Sequence, residues 1–159
     1  MSRQSGTWIA IAAAGVLVTM AGASFAADEP ANVIKYRQAL MKANSAHITM
    51  VAAVVKGEVS WTDELAGNAH ALHEQSKNLL RLFPEGSGKG DTDVKSVALP
   101  VIWEQWGEFE EAAAAFEEES AKLVEAVDSG DQAAIARQLG ALGKNGCGNC
   151  HETFREKQE

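Results

Sequence analysis

The sequence predicts an all-α fold, an antiparallel four-helix bundle, on three observations. Apolar residues recur at spacings of three and four in four separate segments, which is the period of a helix with one buried face. No segment shows the strict alternation of apolar and polar residues that marks a half-buried strand. The four segments follow one another through short connections or loops, as in up-and-down bundles.

The first predicted helix begins at Asp28-Glu29-Pro30, because acidic residues and proline suit a first turn, and it ends at Gly57. Its inward stripe has a seven-residue repeat made of Ile34, Met41, Ile48 and Val55, with Arg37, Asn44 and Val51 between them. Two members of this stripe, Arg37 and Asn44, are polar. Each of them needs a hydrogen-bonding partner if the stripe faces the core.

The second predicted helix begins near Ser60 or Thr62, where a hydroxyl can cap it, and Pro84 ends it. Its inward stripe alternates spacings of four and three: Leu65, Ala69, Leu72, Ser76, Leu79 and Phe83. Residues 84–99 contain three glycines and several polar residues, so we expect a long, mobile loop that is too polar to join the core. Its last residues, Val97-Ala98-Leu99, are expected to fold back onto the bundle.

The third predicted helix begins at Pro100 and ends at Gly130. Its inward stripe consists of Ile102, Trp106, Phe109, Ala113, Phe116, Ser120, Leu123 and Val127. Asp131 then caps the fourth helix, which directs Ile135, Leu139 and Leu142 inward.

The fourth helix leads into Cys147-Gly148-Asn149-Cys150-His151. Two cysteines separated by two residues, with a histidine directly after the second, are typical of covalent c-type haem attachment. The thiols add across the two vinyl groups of haem as thioethers, and the adjacent imidazole can ligate the iron. The sequence therefore predicts one covalently bound haem c, attached through Cys147 and Cys150, with His151 as the proximal iron ligand.

Three other uses of this cysteine pair are weaker. A zinc site needs four nitrogen or sulfur ligands, and the other histidines are far off in the sequence. A thioredoxin-like pair belongs beside a βαβ pattern, which the sequence lacks. A disulfide between residues three apart would close a very small loop and stabilise little.

The first 26 residues are typical of a signal peptide. Arg3 precedes an apolar run over residues 8–20, and small residues then lead to Ser24-Phe25-Ala26. We expect cleavage after Ala26, which leaves residues 27–159 as one bundle domain in the periplasm. A membrane anchor is the alternative, but the apolar run is short for a span.

Charge and motifs exclude several classes of function. The chain has 14 Lys+Arg against 22 Asp+Glu and a net charge of −8, so nucleic acid is not an expected partner. The sequence supports no Ser/His/Asp arrangement and no phosphate loop, so we do not expect an enzyme. Lys144, Arg155 and Lys157 flank the cysteine motif, so the local charge there can differ in sign from that of the whole chain.

Together these residues resemble the class II c-type cytochromes, the cytochrome c′ group, whose haem motif lies near the C-terminus of a four-helix bundle. The resemblance spans the chain after the signal peptide. It includes Lys35-Tyr36-Arg37-Gln38, Val54-Val55-Lys56-Gly57, Pro100-x-Ile102-Trp103 and the cysteine motif with Arg155. It implies that Arg37, Arg155 and Trp103 lie close to the haem, and a haem propionate would suit Arg37 well.

Met41 bears on the coordination of the iron. The five-coordinate members of the family carry an apolar, non-ligating side chain at this position. Residues 37–44 instead resemble the six-coordinate, low-spin cytochrome c-556 type, in which this methionine binds iron. The resemblance therefore implies Met41 as the distal ligand, and the alternative is a methionine that fills a gap in the core.

Three functions follow, in this order. The first is a periplasmic electron carrier with His151 and Met41 as axial ligands, serving redox partner proteins. The second is a five-coordinate, cytochrome c′-like protein that binds a gas, with nitric oxide as the first choice. The third is a structural or zinc-binding bundle without haem. We expect no stable membrane insertion after signal cleavage. The sequence does not decide between a monomer and a homodimer.

Overall fold

The computed structural model describes residues 28–157, and the signal peptide expected at 1–26 lies outside them. The described chain forms no strand, and a single antiparallel bridge joins Ala98 to Arg155. Its helices are α1 (Pro30–Val55), α2 (Leu65–Ser76), α3 (Val101–Glu104), α4 (Trp106–Ser129), α5 (Gln132–Ala141) and α6 (Asn149–Phe154). The predicted all-α, antiparallel four-helix bundle is confirmed.

The four long helical segments pack in a ring around one core. Helix α2 contacts both α1 and α4, and α5 also contacts both of them, so α1 and α4 lie on one diagonal of the bundle. The centre is filled by side chains with almost no exposed surface: Leu72, Ile102, Phe109, Leu123, Ile135 and Leu142. Full burial of each such side chain stabilises the fold by about 1.5–3 kcal/mol.

The second helix is shorter than the sequence predicts. It ends at Ser76, whose hydroxyl donates to the carbonyl of His73 at 2.7 Å. Such a local bond from side chain to backbone competes with the regular helical ladder. A 3₁₀ turn at Leu80–Leu82 follows, and both Leu82 and Phe83 are still buried. The apolar repeat therefore marked buried positions correctly but not a continuous helix.

The third predicted helix is divided into two. Gln105 has φ −125° and ψ 49°, outside the helical region, and separates α3 from α4. Helix α3 has its own anchors, because Ile102 is 1% exposed and the indole N–H of Trp103 donates to the Phe83 carbonyl at 3.1 Å. These anchors fix α3 against the segment that follows α2.

The segment between Pro84 and Leu99 is partly buried and partly exposed. Ser87 has no exposed surface and Ser96 is 4% exposed, so the expectation of a loop too polar for the interior is wrong at these two positions. Both serines accept hydrogen bonds from the Arg37 guanidinium, which offsets the cost of burying them. The predicted return of residues 97–99 to the bundle is confirmed, since the amide of Leu99 donates to the Phe154 carbonyl at 3.0 Å.

A π-helical turn, Leu142–Gly148, joins α5 to α6. Such turns insert an extra residue into a helix, and they are frequent at functional sites. Gly146 lies against α4 here, because a Cβ atom on it would stand 3.3 Å from the Cα of Phe116. Among the helices of residues 28–157, none is long and apolar enough to cross a membrane.

Candidate functional site

A cavity of about 910 Å³ lies between α1 and the C-terminal segment. Cys147, Cys150 and His151 line it, and Met41 and Ile48 of α1 line it as well. This volume is near the upper end of the range for ligand pockets in proteins, roughly 300–1,000 Å³. The structure therefore brings the predicted haem-binding residues together around a space that suits a large ligand.

Aromatic side chains form the floor of the cavity. Phe83, Phe109, Phe116 and Phe154 all line it and all are buried. The rings of Phe83 and Phe154 pack edge-on against Phe109, with ring centres 4.7 and 5.2 Å apart. A flat apolar ligand would meet a preformed aromatic surface here.

Both cysteines are free and half-buried. Burial raises the pKa of the Cys150 thiol to about 11, and it raises the pKa of Cys147 as well. Both side chains are therefore neutral thiols near pH 7, and neutral thiols are poor nucleophiles in disulfide exchange. This state disfavours the thiol-redox alternative.

The imidazole of His151 is in the form that binds metals. Burial, together with the charge of Arg155, lowers the pKa of His151, so the ring is neutral at pH 7. Within residues 28–157, no group of three or more His, Cys, Asp or Glu side chains is placed to hold a metal ion. The zinc alternative therefore lacks its ligands in the part of the chain that the structure describes.

The buried guanidinium of Arg37 is bonded to the segment that follows α2. One nitrogen, Nη1, donates to the Leu82 carbonyl at 2.7 Å and to Ser87 Oγ at 3.0 Å. The other, Nη2, donates to the Ser87 carbonyl at 2.6 Å and to Ser96 Oγ at 3.1 Å. Burial lowers the pKa of Arg37 to about 10, which leaves it charged at pH 7. Arg37 also lines the cavity, and its place beside a haem stays a prediction.

The cavity is positively charged at its mouth. The exposed side chains of Lys42, Lys95 and Arg155 line it, and its described lining contains neither Asp nor Glu. In a chain of net charge −8, this local excess of cations suits an anionic ligand group. Arg155 thus lines the cavity, and its place close to a haem stays a prediction.

Trp103 is not among the residues that line the cavity. Its indole N–H is bonded to Phe83, and its ring packs against Gly88, where an added Cβ would stand 2.8 Å from the ring. The resemblance placed Trp103 next to the haem. Trp103 contacts Phe83, which lines the cavity, and its own place beside a haem stays a prediction.

These residues fit a covalently attached haem c. The cavity has the apolar walls for a porphyrin, two free thiols for its vinyl groups and a neutral imidazole for its iron. Its cationic mouth suits the two propionates. A four-helix bundle with such a site in its C-terminal segment defines a c-type haem protein of class II.

Comparison with known proteins gives the family. The model of the family described as Cytochrome C′ matches residues 32–155, and the chain belongs to this family. A cytochrome c′ from Pararhodospirillum photometricum is 34% identical over 128 residues, which cover 80% of this chain and 98% of that protein. A cytochrome c-556 from Rhodopseudomonas palustris is 33% identical over 153 residues, which cover 91% of this chain and 95% of that protein. The haem c predicted from the cysteine motif is thereby confirmed.

Solved structures agree in fold. Cytochrome c′ from Rubrivivax gelatinosus is 30% identical with a TM-score of 0.72, and the matched region covers 81% of this chain and 98% of that protein. A nitric oxide complex of a mutant cytochrome c prime from Alcaligenes xylosoxidans is 27% identical with a TM-score of 0.73. The matched region covers 83% of this chain and 99% of that protein. A third cytochrome c′, described as having a ligand-controlled dimer dissociation, is 23% identical with a TM-score of 0.77, and covers 83% of this chain and all of its own.

Proposed function

We propose that this cytochrome c′ family member binds a diatomic gas, with nitric oxide as the first choice, at the haem iron carried by His151. The size of the cavity carries the proposal. Its volume is about 910 Å³, and it reaches from His151 to the wall that Met41, Asn44 and Ile48 form on α1. The nitric oxide complexes among its structural relatives support the same function. This reverses the order of the first two functions inferred from the sequence.

A second function, electron transfer with both axial positions filled, is favoured by one observation. Met41 lines the same cavity as His151, and a thioether in that position is the distal ligand that the resemblance to cytochrome c-556 implies. Ligation by methionine and histidine raises the reduction potential and closes the iron to gases. Relatives named cytochrome c-556 support this candidate, and its partners would be redox proteins.

One measurement separates the two functions. The absorption spectrum of the purified holoprotein is recorded oxidised, reduced, and reduced with carbon monoxide. The gas-binding proposal predicts high-spin bands and a shift of the Soret band when carbon monoxide is added. A low-spin spectrum that the gas leaves unchanged would support electron transfer through a Met41-ligated iron instead.

The remaining assignments belong to the same proposal. Residues 1–26 direct export to the periplasm, residues 27–159 act there as one haem domain, and no stable membrane insertion follows cleavage. The protein binds rather than turns over its ligand, so it is not an enzyme, and nucleic acid is not a partner. A homodimer is compatible with this function and is not required by it.

A further inference from the structure

Asn44 stands out among the buried polar residues of the bundle. It lies in α1 with 7% of its surface exposed, and its Oδ1 atom has no hydrogen-bond partner among the residues that the structure describes. A buried amide oxygen without a partner destabilises a fold by about 1–3 kcal/mol. A buried oxygen of this kind indicates a hydrogen-bonding partner outside the polypeptide, such as a water molecule or a ligand.

The other buried polar side chains of the described bundle are satisfied except Gln75 on α2, whose Oε1 also lacks a partner but which does not line the cavity. The Asn68 amide donates to the Glu64 carbonyl at 2.7 Å and pairs with His47 at 2.8 Å. Ser120 donates to a backbone carbonyl at 2.9 Å, and Arg37 has four acceptors. Of the two buried amide oxygens without a partner, the one on Asn44 therefore belongs to a residue that lines the cavity.

The position of Asn44 associates it with the ligand cavity. Asn44 lines the cavity together with Met41 and Ile48, which lie three residues before it and four after it on the same face of α1. Most of the other polar side chains in the lining are exposed near the mouth, and the buried Arg37 and Ser96 are bonded to each other. Asn44 is thus the buried polar lining residue with an unused hydrogen-bonding atom.

We propose that the Asn44 amide forms a hydrogen bond to the small molecule bound at the open axial position of the iron. The Oδ1 atom accepts a hydrogen bond from a bound water, whereas a diatomic gas has no hydrogen to donate. For a bound gas, rotation of the amide about χ2 exchanges its two ends, so that the NH₂ group donates to the ligand. Polar groups on this side of a haem decide which ligands are held and how strongly. The inference rests on the proposed function, since it needs an iron position open to ligands.

The test uses carbon monoxide on the reduced, full-length holoprotein. Asn44→Leu is prepared in the natural chain and in a Met41→Ala background, which removes the thioether. Loss of the amide donor is expected to raise the C–O stretching frequency in the infrared spectrum. It is also expected to raise the dissociation rate of the gas two- to tenfold, as for the loss of one hydrogen bond. Gln75→Leu removes the other buried amide oxygen without a partner, on α2 and outside the cavity lining, and it is the matched control that should change neither quantity.

The outcomes separate this inference from the proposed function. If only the Met41→Ala protein takes up the gas, the gas-binding function fails, and the inference is still tested in that background. An unchanged frequency and dissociation rate on removing the amide would overturn the inference, as would failure of the Met41→Ala protein to bind carbon monoxide. Asn44→Ala repeats the measurement without added bulk, so a folding defect of the leucine variant does not leave the question open.

Discussion

At the residue scale, Arg37 has a structural role in addition to the predicted position beside the haem. Its position on the inward stripe predicts a buried cation in need of a partner, and the structure confirms its burial. The partners are serine and carbonyl oxygens from residues 82–96, far along the chain. Arg37 thereby fixes the segment that closes one side of the cavity.

Replacing Arg37 should be costly. Arg37→Met leaves the Leu82 carbonyl and the two serines without their donor, so we expect the free energy of unfolding to fall by more than about 3 kcal/mol. Urea unfolding of the holoprotein measures it. Arg137→Met, at an exposed position on α5, is the control and should stay within about 0.5 kcal/mol of the natural protein. A loss below about 1 kcal/mol for Arg37→Met would contradict this role.

Met41 provides the second prediction at this scale. Met41→Leu preserves volume, so the free energy of unfolding should change by less than about 1.5 kcal/mol. Because the proposed function leaves the iron open, the spectrum of the reduced protein should keep its shape and carbon monoxide affinity should change little. Met50→Leu, an exposed methionine outside the cavity lining, is the control. Conversion from a low-spin to a high-spin spectrum in Met41→Leu would instead identify Met41 as a ligand.

The sequence specified the site better at some residues than at others. Cys147, Cys150 and His151 could be assigned because their spacing carries the chemistry, and Met41 and Arg155 do line the cavity. The acceptors of Arg37 could not be assigned, because they come from a segment whose composition is that of an exposed loop. Trp103 was implied by the resemblance and not by the helical stripe, and its place beside a haem stays a prediction.

At the scale of elements, four apolar repeats predicted four helical segments, and the bundle has them. The predicted helix boundaries were wrong where tertiary contacts override the local sequence pattern. The second helix ends early at Ser76, and a break at Gln105 separates α3 from α4. The π-helical turn was also missed, because it adds one residue without interrupting the apolar spacing around Leu142.

The π-helical turn depends on a close approach to α4 at Gly146. A Cβ atom there would meet the Phe116 backbone and the Leu142 side chain at 3.3 and 3.0 Å, so Gly146→Ala should reduce the free energy of unfolding by about 1–3 kcal/mol. Gly140→Ala is the matched control, since nothing lies within 4 Å of an added Cβ, and it should stabilise the protein by about 0.5–1 kcal/mol. Thermal unfolding of both variants gives the comparison. Equal effects of the two changes would contradict the close approach.

At the scale of the whole molecule, the haem is part of the core. Without haem, the buried aromatic side chains that line the cavity would face water, and the apolar contacts they make with the porphyrin would be lost.

We therefore expect the Cys147→Ser/Cys150→Ser double variant, which cannot hold haem covalently, to lose its fixed tertiary packing. Its near-ultraviolet circular dichroism should be largely lost while far-ultraviolet helical signal remains, as in a molten globule. Each Cys→Ser substitution exchanges one sulfur atom for oxygen, so the substitutions themselves cannot account for a loss of tertiary packing. A sharp, cooperative thermal transition in the haem-free variant would show that the bundle closes the cavity by itself.

The diagonal placement of α1 and α4 also separates charge across the bundle. Helix α1 has three basic residues and no Asp or Glu, whereas α4 has eight acidic residues and one lysine. These two helices therefore contribute a dipole perpendicular to the bundle axis, with its positive end on the side of α1. Near a negatively charged electrode at low ionic strength, this contribution favours orientations in which α1 faces the surface. At about 0.1 M salt, where the screening length is about 10 Å, the orientation is largely lost.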